Sequence, residues 1–257
     1  MIATEPVLVS RDGAIVTLTL NWPERRNALS VAMRHRLADA IEEAEADRTV
    51  RALILTGTGE HFCAGGDLTG MHVESVAEGR ERMRHAHRLI RLMVGARMPI
   101  VAAIEGWCAG AGISLACASD HVVAGAEAKF LASFGKVGLL PDLGLLHTLP
   151  ARVGQARARE MLLFAEAVDA PRAEAIGLAD RVVPAGTALA AARARAEILG
   201  ALAPMTLALT KAVLADGLEE ALARERDLQS ALYLTPDHAE GKAAFLEKRP
   251  PRFGEGS

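Results

Sequence analysis

The stretch PIVAAIEGWCAGAGISLACASDHVVA, Pro99 to Ala124, passes from a short apolar run through a glycine turn opening at Gly106 into a small-residue helix, Ala111 to Ala118, and on into a second apolar run. Runs such as PIVAAI, bounded by turn residues, read as buried strands. Upstream, AIVTLTL (Ala14 to Leu20) is β-rich, and Ser30 caps a helix whose Met33, Leu37, Ala40, Ile41 and Ala44 make one apolar stripe. RALILT (Arg51 to Thr56) is a further buried strand, followed by a loop from Gly57 to Gly70 and a helix over Val76 to Val94. Downstream, the strand AKFLA leads into a loop through Gly135, Gly138, Pro141 and Gly144. Three passages from strand to glycine loop predict an α/β body with functional loops at strand ends.

After Pro184 the β signal stops, and Ala185 to Glu247 reads as helix broken at Gly200 to Pro204, Gly217 and Pro236. The chain divides into a core over residues 1–200 and a helical module over 201–257, which packs on its own body or on a neighbouring subunit.

With 51% apolar residues in 257, the chain can bury a large core; 23 glycines and 4% aromatics predict close packing of aliphatic side chains. A net charge of −3 excludes a global positive field for nucleic acid or an anionic membrane. MIATEPVLVSRDGAIVTLTL lacks the order of a signal peptide, and no apolar run approaches a membrane span. Cys63, Cys108 and Cys117 form no CxxC pair and read as small buried hydrophobes, so a reducing cytoplasm is expected. His61, His121 and His147 have no second ligand at metal spacing, so no metal is expected.

Two loops carry the chemistry. HFCAGGDL (His61 to Leu68) places two glycines before an acid, a pattern shared with ordinary turns. GWCAGAGISLA (Gly106 to Ala116) puts a small-residue turn at a helix start, where free N–H groups and the positive dipole end coincide. It is neither a P-loop nor a GxGxxG turn, and it offers an uncharged donor suited to a carbonyl oxygen that gains negative charge. Donors from both loops would form an oxyanion hole, each worth ~3 kcal/mol of barrier. Asp142, in the apolar loop GLLPDLG, is the carboxylate placed to move protons beside that charge, or else a helix N-cap after Pro141.

HFCAGGDL, PIVAAIEGWCAGAGISLACASDHVVA and KVGLLPDLGLLHTLPARVG, with NWPERRNALS before them and FLEKRPPRF after, resemble the crotonase (enoyl-CoA hydratase/isomerase) superfamily along nearly the whole chain. The resemblance implies an α/β crotonase (ClpP-like) spiral of ββα units and an acyl-CoA thioester substrate. It implies a C-terminal helical module used for trimerisation, giving a homotrimer or a dimer of trimers, and no cofactor beyond the coenzyme A of the substrate. It puts the oxyanion donors on the backbone N–H of Gly66 and Ala111. Coenzyme A is expected past Arg26 and Ala28 and against the backbone of Ala64, Asp67 and Leu68, with Lys248 reaching a phosphate across a subunit boundary. Arg26 and Lys248 read equally well as solvated surface, and Asp67 as a turn or cap residue.

The two glutamates that hydratases of this superfamily use fall on Ser114 and Phe134, which here are expected only to contact substrate. Without them water addition loses its acid and base, and Asp142 remains, at a position resembling the aspartate of family members that shift double bonds or isomerise ring-epoxide thioesters. The expectation is an acyl-CoA isomerase. His87 falls where aryl-CoA dehalogenases carry a histidine base, so a hydrolytic alternative pairs an Asp142 nucleophile with His87; the bland reading is a histidine on a basic helix face. A binding protein that has lost catalysis is a further alternative, and RNA binding is disfavoured by the charge.

Overall fold

The computed structural model describes residues 5–254. In chain order its elements are β1 (Val7–Asp12), β2 (Ile15–Leu20), α1 (Val31–Ala46), β3 (Ala52–Gly57), α2 (Val76–Gly95), β4 (Ile100–Ile104), β5 (Trp107–Ala109), α3 (Ala111–Ala118), β6 (His121–Gly125), β7 (Lys129–Leu131), α4 (Leu145–Phe164), β8 (Val168–Asp169), α5 (Ala170–Ala175), β9 (Arg181–Val183), α6 (Ala188–Gly200), α7 (Pro204–Leu214), α8 (Leu218–Leu232) and α9 (Pro236–Glu247). Short 3-10 turns lie at Pro23–Arg25 and Phe134–Val137.

The main sheet runs β1-β2-β3-β4-β6-β9, antiparallel at β1/β2 and parallel thereafter. Both of its faces are covered, which is why β3 and β4 are continuous apolar runs rather than alternating ones. Ala52, Ile54, Val101 and Ala103 pack with Ala188, Ala192 and Ala196 of α6. Leu53, Leu55, Ala102 and Ile104 point the other way, into the larger core with Leu37 and Ile41 of α1 and Leu89 of α2. Ser30 caps α1 as expected, its side chain accepting from the Met33 N–H at 3.2 Å.

Three features depart from the sequence reading. The N-terminal stretch forms two strands, a hairpin turning at Gly13, rather than one. Part of the second glycine loop, Trp107–Ala109, is itself a strand, in a small sheet ordered β5-β7-β8. The short strands β8 and β9 were not read from the sequence, while α6, within the 1–200 core, covers the main sheet. Farther on, α8 packs along α2, and α9 packs on the Phe134–Val137 turn. Lys211 pins α7: its ammonium donates to Asp120 at 2.5 Å and to the Met98 carbonyl at 3.1 Å, a buried cation satisfied at the end of the main sheet. Among the described residues no single helix is long and apolar enough to cross a membrane.

Candidate active site

The two glycine loops are stitched together by their backbones. Cys63 N–H donates to the Trp107 carbonyl at 3.0 Å, and Ala109 N–H donates to the Cys63 carbonyl at 2.8 Å, a parallel bridge between Cys63 and Cys108. Gly110 takes a positive φ of 49° to turn the chain into α3, and a side chain there would come within 3.2 Å of the Gly65 Cα. Gly112 lies so close to the first loop that a Cβ would stand 2.5 Å from the Cys63 carbonyl oxygen. This contact brings Gly66 and Ala111 onto the wall of one cavity of about 450 Å³, within the usual range for small-molecule sites. Among the described residues neither N–H has a hydrogen-bond acceptor, and Ala111 begins a helix, so both donors are free for a ligand.

Asp142 faces the same cavity, where it is the one acid among the described lining residues, against five bases: Arg26, Arg34, Arg82, Lys136 and Arg249. Its loop is held from three sides. The Ser114 hydroxyl donates to the Asp142 carbonyl at 2.9 Å. From α8, the Glu225 carboxylate accepts from the N–H groups of Leu143 and Gly144, both at 2.8 Å, and Gln229 exchanges hydrogen bonds with Leu140 at 2.9 and 3.2 Å. These clamps hold Leu143 at a positive φ of 55°, which a leucine rarely adopts. The carboxylate itself accepts from Gln229 Nε2 at 3.3 Å.

Asp142 is half-buried and lines the cavity, so its carboxylate is poorly solvated although its surface is not sealed. Burial, then the negative charge of Glu225, push its pKa up to about 7, against the downward pull of Arg34, Gln229 and Arg82. A carboxyl tuned to neutrality can both take and return a proton under physiological conditions. Tyr233 lies in the same cluster, its phenol pushed up to about 12 by burial and by Asp142.

Of the residues singled out from sequence, Asp142, Gly66, Ala111, Arg26, Ala64, Leu68 and Phe134 all line the cavity. Ala28, Asp67, Ser114 and Lys248 do not. Ser114 is fully buried and supports the Asp142 backbone instead of meeting substrate. The Asp67 carboxylate accepts from the Thr69 N–H at 3.0 Å and its hydroxyl at 2.6 Å, the turn geometry that the sequence also allowed. Lys248 is exposed at the end of α9 and is not among the residues that line the cavity. Asp142 is not a helix N-cap: Gly144 holds that position on α4.

His87 requires a correction. Its side chain is 2% exposed and does not line the cavity, and its Nε2 lies 2.7 Å from Glu225 Oε1, so it braces the carboxylate that braces the Asp142 loop. A base sealed behind Glu225 cannot reach water at Asp142. Burial pushes the Cys63 and Cys117 thiols up to about 12, consistent with small core side chains.

Arg34, Arg82, Tyr233, Glu225 and Gln229 were not expected from the sequence. Glu225 and Gln229 follow Leu218 and Leu222 on the buried face of α8, so polar residues at core positions of an amphipathic helix were the available signal.

Paired glycine loops with free backbone donors, on one cavity with a single acid, suit a substrate oxygen that gains negative charge. The enoyl-CoA hydratase/isomerase family profile matches residues 10–256, and the chain belongs to that family, within the crotonase superfamily and fold. It is 40% identical, over 93% of this chain and 94% of the relative, to a probable enoyl-CoA hydratase of Rhodobacter capsulatus. It is 35% identical to the 1,2-epoxyphenylacetyl-CoA isomerase of Escherichia coli K12, over 97% of this chain and 98% of the relative. The crystal structure of an enoyl-CoA hydratase from Mycobacterium avium subsp. paratuberculosis superposes with a TM-score of 0.88 at 33% identity, covering 97% of this chain and 99% of that one.

Proposed function

We propose that this family member is an acyl-CoA isomerase with a single-aspartate proton shuttle. The observation that carries the reading is Asp142, the sole acid among the described residues of the cavity, tuned toward neutrality in the same cavity as two unoccupied N–H donors. In the reaction the Asp142 carboxylate removes a proton from C2 of a 3-enoyl thioester. The electron pair moves toward the thioester oxygen, and the N–H groups of Gly66 and Ala111 hold the resulting dienolate, each donor worth ~3 kcal/mol of barrier. The same carboxyl then returns the proton at C4, leaving the 2-enoyl thioester with no net change in atoms.

Hydration asks for more: one group must activate water while another delivers a proton. Phe134 lines the cavity and Ser114 is turned into the loop support, so neither supplies that second group. Coenzyme A would enter past Arg26 and Ala64, needing no other cofactor. Met205, Leu209 and Val213 form an exposed apolar stripe on α7, which supports assembly into trimers through the C-terminal helices.

The test measures double-bond migration on 3-enoyl-CoA and water addition on 2-enoyl-CoA, for the native protein and Asp142→Asn. Migration abolished by the substitution, with hydration negligible throughout, is expected. Full migration activity in Asp142→Asn would sink the shuttle, and efficient hydration by the native protein would sink the preference for isomerisation.

A further inference from the structure

The shuttle accounts for one charge on the cavity wall, but two opposite ones line the same cavity. Arg34, from α1, and Arg82, from α2, both line the cavity, and both act on the charge of Asp142 and on Tyr233. The remaining basic lining residues, Arg26, Lys136 and Arg249, do not figure among the charges that perturb Asp142. Among the described residues neither Arg34 nor Arg82 is ion-paired, and the buried Nε of Arg82 has no hydrogen-bond partner. Burial, then the facing charge of Arg82, hold the Arg34 guanidinium below its ordinary value. The Glu225 carboxylate behind Asp142 is occupied by the Leu143 and Gly144 N–H groups and by His87, so within the cavity the two half-buried guanidiniums face Asp142 alone, an arrangement that favours an added anion.

The surrounding wall is apolar, built from Leu68, Met71, Leu139 and Tyr233, with Met83 packed behind them. A hydrocarbon chain suits that wall, and the two guanidiniums suit an anionic group that the chain carries. The phosphates of coenzyme A are unsuitable, because the reacting carbons must sit at Asp142 and the pantetheine arm then leads away from it.

We propose that the acyl group bound here ends in a second carboxylate, held by Arg34 and Arg82, so that the substrate class is the coenzyme A half-thioester of a dicarboxylic acid. This rests on the acyl-CoA reading above and narrows it. Arg side chains are suited to the task because their forked N–H groups match both oxygens of a carboxylate. The Tyr233 hydroxyl, on the same cavity and now donating to the Met83 sulfur at 3.4 Å, could turn to serve as a third donor.

The test is calorimetric binding of unreactive saturated thioesters in matched pairs, adipyl-CoA against hexanoyl-CoA, with four- and eight-carbon pairs alongside. At the length that fits, the dicarboxylic member should bind at least about tenfold more tightly, the scale of a charge-assisted hydrogen bond. Arg82→Leu and Arg34→Leu should each erase most of that preference while leaving the monocarboxylic thioester within a few-fold of native affinity. The corresponding Lys variants should recover part of it. Equal or weaker binding of the dicarboxylic thioester at every length overturns the proposal and leaves the acyl-CoA reading standing. Failure of both members to bind at any length overturns that reading as well.

Discussion

Replacing Asp142 by asparagine should make the protein more stable, and increasingly so as pH rises. The ordinary carboxyl pKa of 3.8 is pushed up to about 7 in the folded protein, chiefly by burial, so the folded state disfavours the charged form. Below pH 4 the group is protonated in both folded and unfolded chains and costs nothing. Between about 4 and 7 the unfolded chain releases its proton while the folded one retains it, so stability falls with rising pH; above 7 the full penalty is in place. Three units at 1.36 kcal/mol each give on the order of 4 kcal/mol, of which roughly 2 to 3 accumulates between pH 5 and pH 8. The introduced amide keeps the size, and its carbonyl can still accept from Gln229, but it carries no charge to desolvate. Urea denaturation of both proteins at unit steps from pH 5 to pH 8 measures the difference directly. A gap between them that stays constant, or that widens toward acid pH, would show that Asp142 is not held in a charge-hostile setting.

Two further outcomes follow from the same geometry. Glu225→Gln removes a negative charge near Asp142 and leaves one of the Leu143 or Gly144 N–H groups facing an amide NH2, so the acid limb of the kcat/KM profile, near pH 7 in the native protein, should move downward, with about 2–4 kcal/mol lost in thermal or chemical denaturation; an unmoved limb contradicts the proposed coupling. Gly112→Ala inserts a methyl against the Cys63 carbonyl and should separate the two loops, lowering kcat at least about tenfold with a stability loss of roughly 1–3 kcal/mol; native turnover in this variant would mean that the spacing of the loops is not critical.

The parts legible in the sequence were those with a local period or a local exception. PIVAAI and RALILT announce strands buried on both faces, and the Ser30 cap marks the start of α1. The two glycine loops and Asp142 were visible because glycine and a lone acid stand out against their own neighbours. The clamp on Asp142 was not, since Glu225 lies 83 positions farther on, in a helix whose sequence ERDLQ looks like ordinary solvated surface. Only its register with Leu218 and Leu222 reveals an inward face, and nothing local says which backbone that face meets. Arg34 was hidden similarly, next to Met33 in the apolar stripe of α1, and became meaningful once Arg82 from α2 stood opposite. His87 was misread for the converse reason: the sequence offered a histidine on a basic helix face, with a base as the alternative, whereas its burial and its hydrogen bond make it a brace.

The bridge between Cys63 and Cys108 separates two jobs that many catalytic centres entangle. Main chain links the two loops, so under the proposed mechanism a substitution at Ser114, Phe134 or Asp142 would alter how protons move without disturbing the donors of Gly66 and Ala111. Such a scaffold can exchange one proton-transfer chemistry for another a single side chain at a time, each step keeping a working electrophilic half. Relatives named for hydration and for isomerisation at similar identity, 40% and 35%, are what that modularity permits.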